Sequence, residues 1–140
     1  MANVIYNSYK ADALKWNIDL ENDTIKVALV TSSYTPDIDS HDFFNDITWE
    51  SSWTWYTAWW ATIAWLTVTI DNDNDKAVLD WTDVTWTDVS LSAAWAVIYK
   101  STWDAATSPL IAYLDFGWTK TSSEWDFKIV WNASWILTLS

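Results

Sequence analysis

An all-β domain, an antiparallel β-sandwich or jelly roll of about eight short strands with one short N-terminal helix, is the fold this 140-residue sequence predicts. Three observations lead there. Short apolar runs alternate at period two and are separated by turn formers. Helical periodicity is confined to one short stretch near the start, so no βαβ series is available. Most of the tryptophans stand where a β-protein needs glycine.

The elements follow in order. Residues 7–15 are expected to be helical, with Tyr6, Tyr9, Ala13 and Leu14 sharing a face. Trp16 then falls at the position after the helix end, where a left-handed residue is wanted and glycine is usual. "DTIKVALVTS" predicts a strand at about 24–31, with Ile25, Val27 and Leu29 alternating against Lys26 and Ala28. "YTPDIDSHDFFNDI" reads as a loop with room for one helical turn capped by Ser40. "ATIAWLTVTI" predicts a long strand near 61–70, and "DNDND" a turn. "KAVLD" and "DVTWT" read as a hairpin around Asp80 and Trp81. "AVIYK", "LIAYLDF", "DFKIVW" and "WILTL" complete the strands. The apolar phase of these strands predicts a core of Ile25, Val27, Leu29, Val68, Ile70, Val97, Tyr99, Ile111, Tyr113, Ile129 and Leu137.

Length fits one β-sandwich domain, residues 1–140. No run of 18 apolar residues is present, and the opening "MANVIYNSYK" lacks the blocks of a signal peptide, so no membrane partner is expected. Cysteine is absent, which removes disulfides and thiolate chemistry. A net charge of −12, with seven scattered lysines and no arginine, argues against nucleic acid, because phosphate binding needs clustered cations.

Two counts stand out: one glycine, Gly117, and 15 tryptophans. Glycine ordinarily makes up roughly 7% of a chain. Trp49, Trp53, Trp55, Trp59, Trp60 and Trp65 lie among Ser, Thr and Ala, as in a glycine-rich loop. Trp103, Trp118, Trp125 and Trp135 are flanked by turn formers, and Trp95 less clearly so. Trp86 and Trp131 differ, since they continue period-two apolar patterns and read as inward strand residues. Some bacterial lineages and their viruses read UGA as glycine. Genetic code reassignment of this kind, with UGA rendered as tryptophan, explains the thirteen others. Were they real, they would form a sugar-stacking or membrane-interface surface.

Tests for chemistry find little. The one histidine, His41, lies beside Asp39 and Asp42 and reads as a solvated loop residue. One histidine and no cysteine do not make a zinc site. Asp71, Asp73 and Asp75 open a calcium-type loop, but Lys76 and Thr82 occupy the places of its required Gly and Glu. The 19 acids present no identifiable catalytic pair. The expectation is no enzyme activity, no catalytic, cofactor or metal residues, and no cofactor.

The segments "NDTIKVALVTSSYTP", "DVTWTD", "AVIYK", "SPLIAYLDFG" and "DFKIVWNASWILTL" resemble a family of small all-β tailed-bacteriophage proteins, over almost the whole chain. In that family the loop here written "WTWYTAWWAT" carries glycine at the tryptophan positions, whereas Trp86 and Trp131 match true aromatics. The resemblance implies a virion location and a non-enzymatic virion structural protein. It would be a capsid decoration or tail-associated component, an oligomer contacting other virion proteins and copies of itself. A receptor- or glycan-binding module of a tail or fibre is the alternative, and a carboxylate hydrolase is a third class. Residues 53–70 and 89–99 carry no charge and are the expected contact surface.

Overall fold

The computed structural model describes residues 3–48, 50–51, 61–131 and 137–139. Among them are eight strands: β1 (Asn3–Ile5), β2 (Ile25–Val30), β3 (Ala61–Thr62), β4 (Thr67–Asp71), β5 (Lys76–Asp80), β6 (Val84–Lys100), β7 (Leu110–Ile129) and β8 (Leu137–Leu139). One helix, α1 (Asn7–Leu14), and one 3₁₀ turn, Phe44–Asp46, complete the set. The strands form two antiparallel sheets, ordered β1-β7-β6-β2-β3 and β4-β5-β8. The fold is all-β and sandwich-like, as the alternation of apolar runs predicts.

Helix α1 ends as its sequence requires. Asn17 N–H reaches Asp12 C=O at 2.9 Å and Trp16 N–H reaches Ala13 C=O at 3.4 Å. These are the paired bonds of a Schellman motif, and they force Trp16 to φ 62°. Tyr9 is the helix's buried residue; Leu14 instead points to solvent, 84% exposed. The 3₁₀ turn starts at Phe44 rather than after Ser40. Its first N–H groups, of Phe44 and Asn45, donate to Ser108 C=O at 2.8 Å and Ala105 C=O at 3.1 Å, while the Asp46 carboxylate accepts the preceding N–H groups of Asp42 and Phe43, each at 3.0 Å.

Strand β2 is buried along its whole length, not on alternate residues. Ile25, Val27 and Leu29 join one apolar cluster with Trp86, Leu91, Ile98, Ile111 and Ile129. Ala28 and Val30 join a second with Tyr6, Tyr34, Phe44, Val97, Tyr99 and Leu110. Tyr6 and the 31–47 loop, through Tyr34 and Phe44, cover the face that an open antiparallel sheet leaves to water, while Tyr9 and Ala13 of α1 pack into the first cluster.

Several expectations are corrected. The predicted 61–70 strand is broken, because Trp65 sits at φ 57° between β3 and β4. "KAVLD" does not pair with "DVTWT": β5 lies between β4 and β8, while β6 pairs with β2 and β7. "DVTWT" and "AVIYK" fuse into one strand, as do "LIAYLDF" and "DFKIVW". The turn signals between them become β-bulges, with Asp88 at φ 52°, Gly117 at φ 81° and Glu124 at φ 54°. Trp118 and Trp125 therefore lie in β7 rather than in turns.

Trp81 does follow a strand end, yet its ring is buried against Trp131, edge to face at 5.0 Å. Trp86 is buried within β6, and Trp131 is buried just beyond β7. Ile25, Val27, Leu29, Val97, Tyr99, Ile111 and Ile129 are core. Val68 and Ile70 are instead 43% and 79% exposed, because β4 lies at the sheet edge among the described residues, with both faces open. Tyr113 is half-buried, and the Leu137 side chain lies outside the described residues.

Candidate functional site

Of the acidic residues that sequence singles out, Asp71 is committed to its own turn. Asp71 Oδ1 accepts the N–H groups of Asp73 at 3.1 Å and Asn74 at 3.2 Å, and Oδ2 accepts the Asn74 amide at 2.9 Å. Lys76 Nζ stands 3.7 Å from the same carboxylate. The Asn74 side chain, helped by the two backbone donors and Lys76, holds Asp71 below its ordinary pKa. Asp71 thus presents its oxygens to amide donors, the arrangement of an Asx turn rather than a calcium loop. Among the described residues, no three His, Cys, Asp or Glu side chains converge to hold a metal.

The same device recurs twice. Asp19 accepts from Glu21 N–H and Asn22 N–H through Oδ1, and from the Asn22 amide at 2.7 Å through Oδ2. Asp37 accepts from Asp39 N–H at 3.0 Å and Ser40 N–H at 3.2 Å. Both carboxyls are held below the ordinary range, chiefly by the Asn22 and Ser40 side chains respectively. The spacing Asp-x-x-Asn or Asp-x-x-Ser is visible in the sequence, and it marks each of these turns.

His41 is half-buried, not a solvated loop residue. Its Nδ1 accepts the Asp37 N–H at 3.3 Å, so the Tyr34 hydroxyl, 2.9 Å away, also donates to it. Tyr34 in turn lies 2.9 Å from the Tyr6 hydroxyl, which therefore donates to Tyr34. Burial raises both phenols, Tyr34 to about 12 and Tyr6 further, so both stay protonated at neutral pH. This chain runs inward to a fully buried end and fastens the 31–47 loop to the segment before α1. Of the flanking acids, Asp39 receives the Asn7 amide at 2.6 Å. The Tyr6–Tyr34 link escaped sequence reading, because the two residues are 28 positions apart.

Lys26, 1% exposed, sits in β2 with Nζ 3.6 Å from the ring centre of Trp103. Burial lowers its pKa. On β7, Lys120 Nζ stands 3.2 Å over the Trp118 ring, and Trp118 and Trp125 are both exposed. Trp16, Trp65 and Trp103 are exposed as well, and all three have positive φ, at 62°, 57° and 69°. The buried indole N–H groups of Trp81 and Trp95 meet no acceptor among the described residues, whereas that of Trp131 donates to Thr82 C=O at 3.1 Å.

The uncharged stretches separate. Residues 89–99 are mostly core, which corrects their assignment to a contact surface. Residues 53–60 lie outside the described residues. Thr67–Ile70 remain at the surface. Set against known proteins, the chain matches no family model, no curated protein and no solved structure.

Proposed function

We propose that the chain is a non-enzymatic structural component of a tailed-phage particle, present in multiple copies as a capsid decoration or tail-associated protein. The observation that carries this reading is how the polar groups are used. Asp19, Asp37, Asp46 and Asp71 each bind the amides of their own turns, and His41 fastens a loop. Such an inventory serves a rigid two-sheet body. The sequence resemblance adds the particle. The experiment is quantitative mass spectrometry of purified particles: this chain is expected at a copy number comparable to the capsid or tail proteins. Absence from the particle, or turnover of a glycan or ester by the pure protein, would end the proposal.

The same reading holds that UGA encodes glycine at most tryptophan positions. Its support is the positive φ of Trp16, Trp65 and Trp103 and the unmet indoles of Trp81 and Trp95. An intact mass well below 16.2 kDa for the natural protein is the expected result. A second reading, a glycan-binding module, is favoured by one feature, the exposed tryptophans Trp118 and Trp125 on β7, the first with Lys120 over its ring. An unreduced intact mass together with glycan binding lost on Trp118→Ala would establish it instead.

A further inference from the structure

Strand β4 carries four uncharged residues, Thr67–Ile70, on a chain of net charge −12. Its ladder to β5 is regular, with Val68 opposite Leu79 and Ile70 opposite Ala77. No proline, lysine or bulge interrupts Thr67–Ile70, and those are the usual defences of a sheet edge. Among the described residues, one guard is present. Val68 N–H donates to Glu21 Oε1 at 3.2 Å, and the Asp19 turn delivers that carboxylate. Because this N–H leaves the sheet, the backbone groups of Val68 and Ile70 face outward while those of Thr67 and Thr69 face β5.

We propose that β4 is a self-docking edge, where a second copy of this chain adds antiparallel about a two-fold axis through Thr69, displacing Glu21. The sequence is self-complementary in that register. Val68 falls opposite Ile70 of the copy, on one face, and both have outward backbone groups, so the two pairs exchange four ladder hydrogen bonds. Thr69 meets Thr69, a favourable cross-strand pair. Asp71 meets Thr67, so no carboxylate opposes another. Among equally acidic copies, contact is cheapest at a segment without charge. The assignment rests on the multi-copy reading and names the contact it needs.

Five residues a side bury far less than the roughly 1,200 Å² of a stable interface. The isolated chain therefore dimerises weakly, at about 1 mM, and particle symmetry multiplies the effect. Sedimentation equilibrium of the full chain up to that concentration tests it. Wild type is expected to show a reversible monomer–dimer equilibrium. Ile70→Lys, a change at a solvent-facing site, should abolish it with an unchanged circular dichroism spectrum. Val68→Pro, which deletes the outward N–H and its bond to Glu21 but no β4–β5 ladder bond, is the second disruptive variant and should do the same. Glu21→Ala should tighten it about tenfold, by freeing the Val68 donor. A wild-type monomer throughout, association that survives Ile70→Lys, or no response to Glu21→Ala would overturn the proposal. Particle composition is measured separately: a chain abundant in particles yet monomeric in solution sinks this inference and leaves the function standing.

Discussion

Trp16 shows how much a single position can carry. The Schellman bonds at the end of α1 set φ at 62°, a region that costs an L-residue roughly 1–2 kcal/mol relative to glycine. Glycine also loses more backbone entropy on folding, by roughly 0.5–1 kcal/mol. With its ring 91% exposed, Trp16 returns little by packing. Trp16→Gly is therefore expected to stabilise the fold by about 1 kcal/mol in chemical denaturation; a loss of stability would show that the indole matters. This position was legible in the sequence because a helix end is a local event. Lys26 was not, because alternation reports which residues share a face and not what covers the other face. His41 was misread for a related reason, since its anchor, Tyr34, in turn bonds to Tyr6, 28 residues away from it.

Strands β6 and β7 pose the same question at the scale of an element. At 17 and 20 residues they are long for strands in globular proteins. Strand β7 contains turn chemistry at Gly117 and around Ser122–Ser123, which read as strand breaks. Pairing to β6 overrides those signals, and positive φ at Gly117 and Glu124 accommodates the misfit within one bent strand. Strand existence was thus legible while strand continuity was not, because a bulge and a turn use the same residues. Ile111 falls at the register shift between the Ile98–Ala112 and Tyr99–Leu110 pairs, and its side chain is fully buried. Ile111→Ala is expected to cost about 2–5 kcal/mol. An unchanged thermal midpoint would contradict that placement.

At the scale of the whole molecule, the acidic turns act together on stability. Asp19, Asp37, Asp71 and Asp83 are all held below their ordinary value of 3.8, Asp83 chiefly by its hydrogen bond to Lys128. Folded pKa values lower than unfolded ones mean that this stability is fully present above about pH 4. It drains as pH falls below 3.8 through the depressed values. Urea midpoints measured at physiological salt, where repulsion among exposed acids is screened, should stay level down to about pH 4 and then drop. Asn74→Ala should shrink the drop, and an equal drop in that variant would remove Asp71 from the account. The order of pairing has a different consequence, for the time during which the chain is being made. Asn3–Ile5 pair with Ala112–Leu114, and β2 completes its pairing only with β6. At 5–20 residues per second, the first strand waits roughly 5–20 s for its neighbour to be synthesised. For roughly 3–14 s of it, until β6 follows, Ile25–Val30 is an apolar β-forming segment without its main partner, the kind that stacks with its own kind on a crowded ribosome. One charge interrupts it, Lys26. An ammonium that the finished fold must desolvate is, for the nascent chain, a gatekeeper against aggregation.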